Sequence, residues 1–425
     1  MAVRCWWRVS VVLPLFLIVA LRKKGLLDSE LLDRRAHLVE ILWMRLAFFS
    51  EEAQLQGCRA MAGQGFSEAY VPLRDTGAPG QALMTRAGGL EAALAALRRF
   101  PDSRAIARAC QDAVGGICLF NAPSGRHAGR LGALQQLLAT YRRFRDEPTV
   151  LAYGSLGCLF DFVPENRQRF GELGGIDFLI WELKRNYWNT EVALQVWYAF
   201  SSGTFDNEVT SRDHGLIELG ISSMRDHPGA FRIREEVLQA FKALACHSQE
   251  LREQLVQAGA AEEYVKAGRE NITDNQLVAL VCENVALLVG GEVVEIYSVK
   301  GKATGYGGFN ETHRKRLVDA GAIEVLLAAV QRAGEMYMRE KASGYDVVPF
   351  CMQALASLAQ GSAEARSELL RLGAATEAAG TMRRTPDAHD VQWAGCKLLR
   401  QLEAQDAAAV RAAHPPESRW CSLRG

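Results

Sequence analysis

The strongest constraint on the fold is a short motif that occurs near both ends of the chain. Residues 52–65 contain glutamine, two residues, then glycine, cysteine, a basic residue and an apolar pair, and residues 391–399 repeat this order. Six weaker copies lie between them, each a helix-like run with a small and an apolar residue in the same place. The first residue of each pair marks the register: Ala60, Ala113, Ser155, Ala199, Ala243, Asn284, Ala354 and Leu398.

The spacing of these marker residues predicts a repeat architecture. Successive steps are 53, 42, 44, 44, 41, 70 and 44 residues. A period in the low forties is typical of stacked helical repeats. Each repeat in such a stack packs only on its neighbours, so a chain of 425 residues does not have to divide into several globular domains.

A second marker recurs in phase with the first. A basic or polar helix end is followed by glycine and a small or apolar residue, which predicts a turn between two short helices. Glycine can adopt positive φ and lets helices approach closely, so it suits such a turn. The glycines concerned are Gly88, Gly132, Gly174, Gly215, Gly259, Gly321 and Gly373.

Together the two markers resemble the armadillo repeat family. The shared pattern is Gly-Gly/Ala-Ile, an apolar helix, then Val-Gln-x-x-Gly/Ala-Cys-x-Ala-Leu, over about residues 88–402 and more loosely over 27–65. The resemblance implies an all-α fold, a right-handed α-solenoid of about eight armadillo-like repeats. In that family the third helices line a concave face that binds other proteins.

The repeat markers also suggest how the chain is divided. The step of 53 contains a Gly- and Pro-rich segment at about 66–81, which we interpret as a loop, and the step of 70 contains a second irregular segment. We expect a hydrophobic N-terminal segment at 1–25, a degenerate capping repeat and loop at 26–85, the armadillo-repeat solenoid at 86–404 with a loop insertion at about 290–310, and a flexible tail at 405–425.

The N-terminal segment leaves three interpretations open. Residues 5–21 are apolar apart from Arg8 and Ser10, and residues 22–24 are basic. The uninterrupted part has 13 residues, fewer than the roughly 20 of a spanning helix. It fits an uncleaved membrane anchor, a signal peptide or an apolar start to the first helix. Two glycosylation sequons, at Asn271 and Asn310, would matter only if the chain were lumenal.

Charge and cysteine placement restrict the function further. The chain has 49 basic and 49 acidic side chains. Nucleic-acid binding requires an excess of basic residues on the surface, so we expect no nucleic-acid partner. There is no Cys-x-x-Cys and no zinc-type spacing, so we expect reduced thiols in a cytosolic protein. Seven of the ten cysteines fall in third-helix patterns, where they would act as small core residues: Cys58, Cys110, Cys158, Cys246, Cys282, Cys351 and Cys396.

The sequence offers no catalytic constellation. Its eight histidines fall in different repeats or turns, and none is three or four residues from another. Neither a nucleophile elbow nor a His-Glu-x-x-His motif occurs. We therefore expect no enzyme activity, no metal, no cofactor and no small-molecule substrate.

Aromatic residues are concentrated in one repeat, where Trp181, Tyr187, Trp188, Trp197 and Tyr198 lie close together in sequence. We interpret most of them as packing residues. An exposed aromatic hot spot is the alternative, because Trp and Tyr dominate binding energy in interfaces.

The partner-binding residues follow from the third-helix register. Nuclear import adaptors of the armadillo family carry an asparagine ladder with tryptophans four positions earlier, and neither occurs at the aligned positions here. The aligned positions hold residues of mixed charge, which suits a partner protein or helix of mixed charge. The predicted concave-face residues are Arg59, Tyr198, Ser202, Lys242, Glu283, Gln353 and Lys397.

We therefore predict a non-catalytic interaction scaffold. It would be cytoplasmic, or membrane-associated through residues 5–21. The alternative is a substrate-selecting adaptor in an enzyme complex such as one for ubiquitin transfer. A nuclear import adaptor fits less well, because the asparagine ladder is missing.

Overall fold

A computed structural model describes residues 36–68, 79–148, 151–290, 295–298, 301–304, 309–339 and 347–413. These residues form 24 helices and one two-stranded hairpin. Contacts divide the chain into two compact units, Met1–Thr140 and Tyr141–Gly425, and each unit is described by itself.

The first unit contains the two N-terminal layers of helices. Its elements are α1 (Ala36–Leu46), α2 (Glu51–Glu68), α3 (Pro79–Arg86), α4 (Gly89–Arg99), α5 (Arg104–Cys118), α6 (Ala122–Arg130) and most of α7 (Ala133–Arg143). Helices α2 and α5 approach backbone to backbone. A Cβ atom on Gly65 would lie 2.5 Å from the carbonyl carbon of Gly116, so this contact requires glycine.

The second unit contains layers that have a first, a second and a third helix. After α8 (Gly154–Phe160), the first two layers are α9 (Pro164–Glu172), α10 (Gly175–Arg185) and α11 (Thr190–Gly203), then α12 (Glu208–Asp213), α13 (Leu216–Asp226) and α14 (Phe231–His247). The next two are α15 (Gln249–Ala258), α16 (Ala260–Glu270) and α17 (Asn275–Val289), then α18 (Glu311–Asp319), α19 (Ala322–Arg339) and α20 (Val347–Ala359). The last layer is α21 (Ala363–Arg371), α22 (Ala374–Arg384) and α23 (His389–Glu403), and α24 (Ala407–Ala412) follows it. Every marker residue lies on a third helix, which confirms the all-α solenoid of about eight armadillo-like repeats.

The predicted glycine turns are confirmed in both units. Each of the seven glycines joins a first helix to a second helix and has a left-handed backbone, with φ between 69° and 101°. A Cβ atom makes this conformation costly. Glycine therefore allows the chain to end one helix and begin the next within one or two residues.

The repeated glutamine motif has the same structural role at both ends of the chain. The side-chain amide of Gln54 donates to the carbonyl of Met44 at 2.8 Å, and that of Gln392 donates to the carbonyl of Met382 at 2.7 Å. The glycine one turn later leaves room for the same methionine side chain, since a Cβ atom there would lie within 2.5 Å of it. The motif therefore joins a third helix to the carbonyl end of its own second helix, where backbone acceptors lack helical partners.

A second recurrent bond joins each of several first helices to the third helix before it. Arg252 donates from Nη1 to the carbonyl of Ala245 at 2.9 Å, and Arg366 donates to the carbonyl of Ala359 at 3.3 Å. His313 makes the equivalent bond from Nδ1 to the carbonyl of Leu288 at 3.0 Å. Donor and acceptor are 7 residues apart for Arg252 and Arg366, but 25 apart for His313. The longer separation arises because the insertion lies between α17 and α18.

The buried position of His313 predicts a pH-dependent stability. Burial lowers the pKa of this imidazole below its ordinary value, although the bond to Leu288 opposes the shift. The unfolded chain therefore binds this proton more readily, so the contribution of His313 is present above about pH 6.5 and decreases as the pH falls towards the folded-state pKa. Thermal unfolding at about pH 7.5 and 5.5 should show a smaller melting-temperature difference in His313→Gln than in the unchanged chain. His389→Gln, at an exposed histidine, is the control, and an equal pH response in His313→Gln would contradict the prediction.

The insertion after α17 contains a hairpin rather than only the predicted loop. Strand β1 (Glu295–Ser298) pairs antiparallel with β2 (Gly301–Thr304), with Ser298 opposite Gly301. The backbone N–H of Asn310 donates to the carbonyl of Val289 at 2.8 Å and closes the base of the insertion. Strand β2 contacts α14, the third helix of the layer before α17.

Other segment predictions meet the structure only in part. Helix α3 begins at Pro79, within the segment expected to be a loop, and α24 lies within the expected tail. The hydrophobic segment 5–21 lies outside the described residues. Among the residues that are described, no helix is long and apolar enough to cross a membrane.

The expectation of reduced cysteines is wrong for five positions. Cys58 forms a disulfide with Cys110, and Cys282 forms one with Cys351, each between third helices of successive layers. Cys396 is also disulfide-bonded. Spacing along the chain could not reveal these bonds, because the bonded residues are 52 and 69 positions apart. Cys118, Cys158 and Cys246 form no disulfide, as expected.

Candidate binding surface on the third helices

The predicted partner-binding residues differ greatly in exposure, although most share one register. Six of them directly precede a marker residue. Among these, Arg59 is exposed on α2 of the first unit. In the second unit Tyr198, Gln353 and Lys397 are half-buried, whereas the two central candidates on α14 and α17 are buried.

Those two central candidates, Lys242 and Glu283, bind each other. The Lys242 ammonium donates to Oε2 of Glu283 at 3.0 Å, and the side chains are 1% and 8% exposed. A charge is buried in a protein only when it is paired or hydrogen-bonded. Cys246, one turn after Lys242, lies in the same environment, where burial raises the pKa of its thiol to about 12. The pair therefore joins α14 to α17 inside the fold and offers no charge to a partner in this conformation.

Ser202 is also an internal residue. Its hydroxyl donates to Oδ1 of Asp161 at 3.3 Å, which joins α11 to the turn after α8, and both residues are buried. Ser202 therefore contributes to the contact between layers. Its predicted role in binding would require the neighbouring side chains to move.

Tyr198 packs on a glycine of the preceding third helix. A Cβ atom on Gly157 would lie 2.6 Å from Cε1 of the tyrosine ring, so the ring covers a site that only glycine leaves open. The residue keeps partial exposure, while burial of the phenol is the largest cause of a pKa well above its ordinary value. Tyr198 thus joins α11 to α8 and leaves only part of the residue exposed.

Gln353 on α20 and Lys397 on α23 are both half-buried. The ammonium of Lys397 lies 5.5 Å from the ring centroid of Trp393, which is one turn earlier on the same helix. This distance suits a cation–π contact. Oε1 of Gln353 is buried and has no hydrogen-bond partner within the described part of the chain, so a partner would reach it only if neighbouring side chains move.

The sequence prediction understated one exposed aromatic cluster. Trp188 is 74% exposed and Trp181 is 43% exposed, whereas Trp197 is fully buried. The Trp188 ring packs edge-on against Tyr187, whose hydroxyl donates to Asp226 at 2.7 Å. Burial and this bond raise the pKa of Tyr187 to about 12. Trp188 lies between α10 and α11, two residues before the start of α11. This position outside the helices is the feature from which its exposure could have been predicted.

No group of three or more metal-ligating side chains occurs among the residues that the structure describes. The expectation that the chain uses no metal, cofactor or catalytic machinery stays a prediction.

Comparison with solved structures identifies the fold. An engineered protein has a TM-score of 0.65 at 18% identity, over 89% of this chain and 82% of its own. A β-catenin structure from work on the cadherin–β-catenin interaction has a TM-score of 0.56 at 16% identity, over 88% of this chain and 66% of its own. The fold is of the armadillo-repeat type.

A designed armadillo repeat protein in complex with a (KR)4 peptide is also similar, with a TM-score of 0.45, 17% identity and coverage of 63% of this chain and 93% of its own. No protein-family sequence model matches this chain, and no curated protein sequence matches it.

Proposed function

We propose that this chain is a non-catalytic scaffold that binds a protein partner along its third helices. The carrying observation is that equivalent positions of α11, α20 and α23 keep partly exposed side chains, namely Tyr198, Gln353 and Lys397. Aromatic, amide and cationic groups on rigid helices suit a partner surface that is itself of mixed polarity. The armadillo-type fold supports a binding role, since β-catenin, which shares it, interacts with cadherin.

The proposed surface is interrupted at α14 and α17. Lys242 and Glu283 occupy the same register there but face the interior. On α17, every residue from Leu277 to Val289 is buried, and strand β2 contacts α14. A partner would therefore contact α11 or the α20–α23 region directly, and would reach α14 only beside the hairpin.

Site-specific photocrosslinking tests this surface. Benzoylphenylalanine at position 353 or 397 of the full chain should crosslink to a co-purifying partner in cells. The control position is Trp181, which is 43% exposed on the second helix α10. Benzoylphenylalanine at this position replaces one aromatic side chain by another. Crosslinks that form from position 181 and not from 353 or 397 would show that the partner uses a different face.

The same crosslinked partners distinguish the scaffold from an enzyme adaptor. Recovery of ubiquitin-ligase subunits would favour the adaptor, whereas structural or signalling proteins would favour a scaffold. Attachment to a membrane through residues 5–21 is a separate proposal. A chain that lacks residues 1–24 should lose membrane sedimentation if the segment is an anchor, and equal distribution of the two forms would remove the tether.

A further inference from the structure

The position two residues before the marker residue holds a disulfide-bonded cysteine in three layers and a large aromatic residue in three others. Cys58 on α2 and Cys282 on α17 lie at this position, and their partners, Cys110 on α5 and Cys351 on α20, lie three residues before their own marker residues; in each bonded pair the Cα atoms are 4.9 Å apart. This separation is within the range that a disulfide spans. The aromatic residues at this position are Tyr153, directly before α8, Trp197 on α11 and Phe241 on α14, all fully buried.

The bonding is selective. Cys118 and Cys158 are buried and not disulfide-bonded, and neither lies two or three residues before a marker residue. The bonds form where cysteines of two adjacent layers face each other. Each bond forms when two thiols lose two electrons and two protons to the disulfide of a partner oxidoreductase, which is thereby reduced to a dithiol. Such bonds persist in oxidising compartments and are rare in the cytosol.

Two asparagines of the second unit are positioned to carry a glycan. Asn271 and Asn310 each begin an Asn-x-Thr sequon, and both are half-exposed, with exposed threonines at 273 and 312. Asn271 lies in the turn between α16 and α17, and Asn310 caps the start of α18. Both therefore lie at helix boundaries, where an attached sugar can extend into solvent.

The hydrogen bonds of the two asparagines are compatible with a substituted amide nitrogen. Asn310 uses Oδ1, which accepts from the backbone N–H of His313 at 3.1 Å. Asn271 uses Nδ2, which donates to the carbonyl of Ala267 at 2.9 Å. A glycosylated Nδ2 retains one N–H, so the Asn271 bond can remain, and the Asn310 cap does not involve Nδ2.

We infer that this chain folds in an oxidising, glycosylating compartment of the secretory pathway and carries N-linked glycans on Asn271 and Asn310. The amide Nδ2 forms a bond to the anomeric carbon of a lipid-pyrophosphate-linked oligosaccharide. The bond from that carbon to the pyrophosphate oxygen breaks, the lipid pyrophosphate leaves and the amide loses one proton. This assignment replaces the expectation of a cytoplasmic protein, since the same cysteine pairs would be kept reduced there.

The test uses the full chain with its own N-terminus and a C-terminal tag, expressed in cultured eukaryotic cells. A glycosidase that removes N-linked glycans should increase its electrophoretic mobility in two steps. Asn271→Gln and Asn310→Gln should each remove one step, and the double variant should remove both. Asn275→Gln is the matched control, because Asn275 is half-exposed at the start of α17, directly after the turn that contains Asn271, and does not begin a sequon.

Alkylation under denaturing, non-reducing conditions followed by mass spectrometry supplies the second measurement. Peptides that contain Cys58 and Cys110, and Cys282 and Cys351, should be recovered as linked pairs, with Cys118 and Cys158 alkylated. A chain whose mobility the glycosidase does not change overturns the glycan assignment. A chain in which all four paired cysteines are alkylated overturns the compartment as well.

Discussion

Removal of the two disulfides is expected to cause a large loss of stability. A bond that closes a loop of 52 or 69 residues contributes about 4 kcal/mol in the loop-entropy account. Reductant should therefore lower the urea midpoint of the unchanged chain by circular dichroism. In the variant with alanine at positions 58, 110, 282 and 351, the midpoint should be low from the start, and reductant should lower it less than in the unchanged chain, because only the bond of Cys396 remains.

The control for the cysteine variant is Cys158→Ala. Cys158 is also buried but is not disulfide-bonded, so its replacement tests the loss of packing without the loss of a crosslink. Its reductant response should equal that of the unchanged chain. A midpoint of the unchanged chain that reductant does not alter would contradict the disulfides themselves.

Breaking the buried ion pair should have an effect of similar size. Lys242→Met leaves the Glu283 carboxylate without its charged partner in an interior position, and removing one partner of a buried pair costs about 3–5 kcal/mol. The double variant Lys242→Met with Glu283→Met should recover most of this loss, because it removes both charges. A double-mutant cycle by urea unfolding measures the coupling free energy directly.

A surface pair supplies the comparison for this cycle. Arg169 and Glu172 are 2.8 Å apart, with side chains 53% and 62% exposed. Replacement of Arg169 by Met should change stability by about 0–1 kcal/mol. If Lys242→Met proves as mild as Arg169→Met, the pair does not lie in the interior, and its role as a partner-binding pair regains support.

The repeat architecture could be predicted from the sequence because its determinants are local. Gly259 and Gly373 adopt positive φ within their own turns, and Gln392 contacts the carbonyl of a residue only 10 positions away. Such constraints act within one repeat and recur at the repeat period. The register of the third helices, and with it the all-α fold, follows from them without knowledge of distant contacts.

The candidate site was harder to predict, because exposure depends on the adjacent layers. Tyr198 and Lys242 share a register, yet one is half-buried and the other 1% exposed. Lys242 pairs with the carboxylate of Glu283, which is 41 residues away in the sequence. The sequence of its own repeat does not predict this partner. Trp188 and Trp197 lie on the same stretch of chain, and only their positions relative to the helix axis and to neighbouring layers separate surface from core.

By itself, then, the sequence determined the helical repeats, their turns and the positions that alternate between packing and surface, since these depend on interactions within about one turn or one repeat. The tertiary structure decided which polar residues pair inside the fold, where the inserted hairpin contacts the stack, and which cysteines bond. Those outcomes depend on distances between atoms in different layers, which are set only when the layers pack.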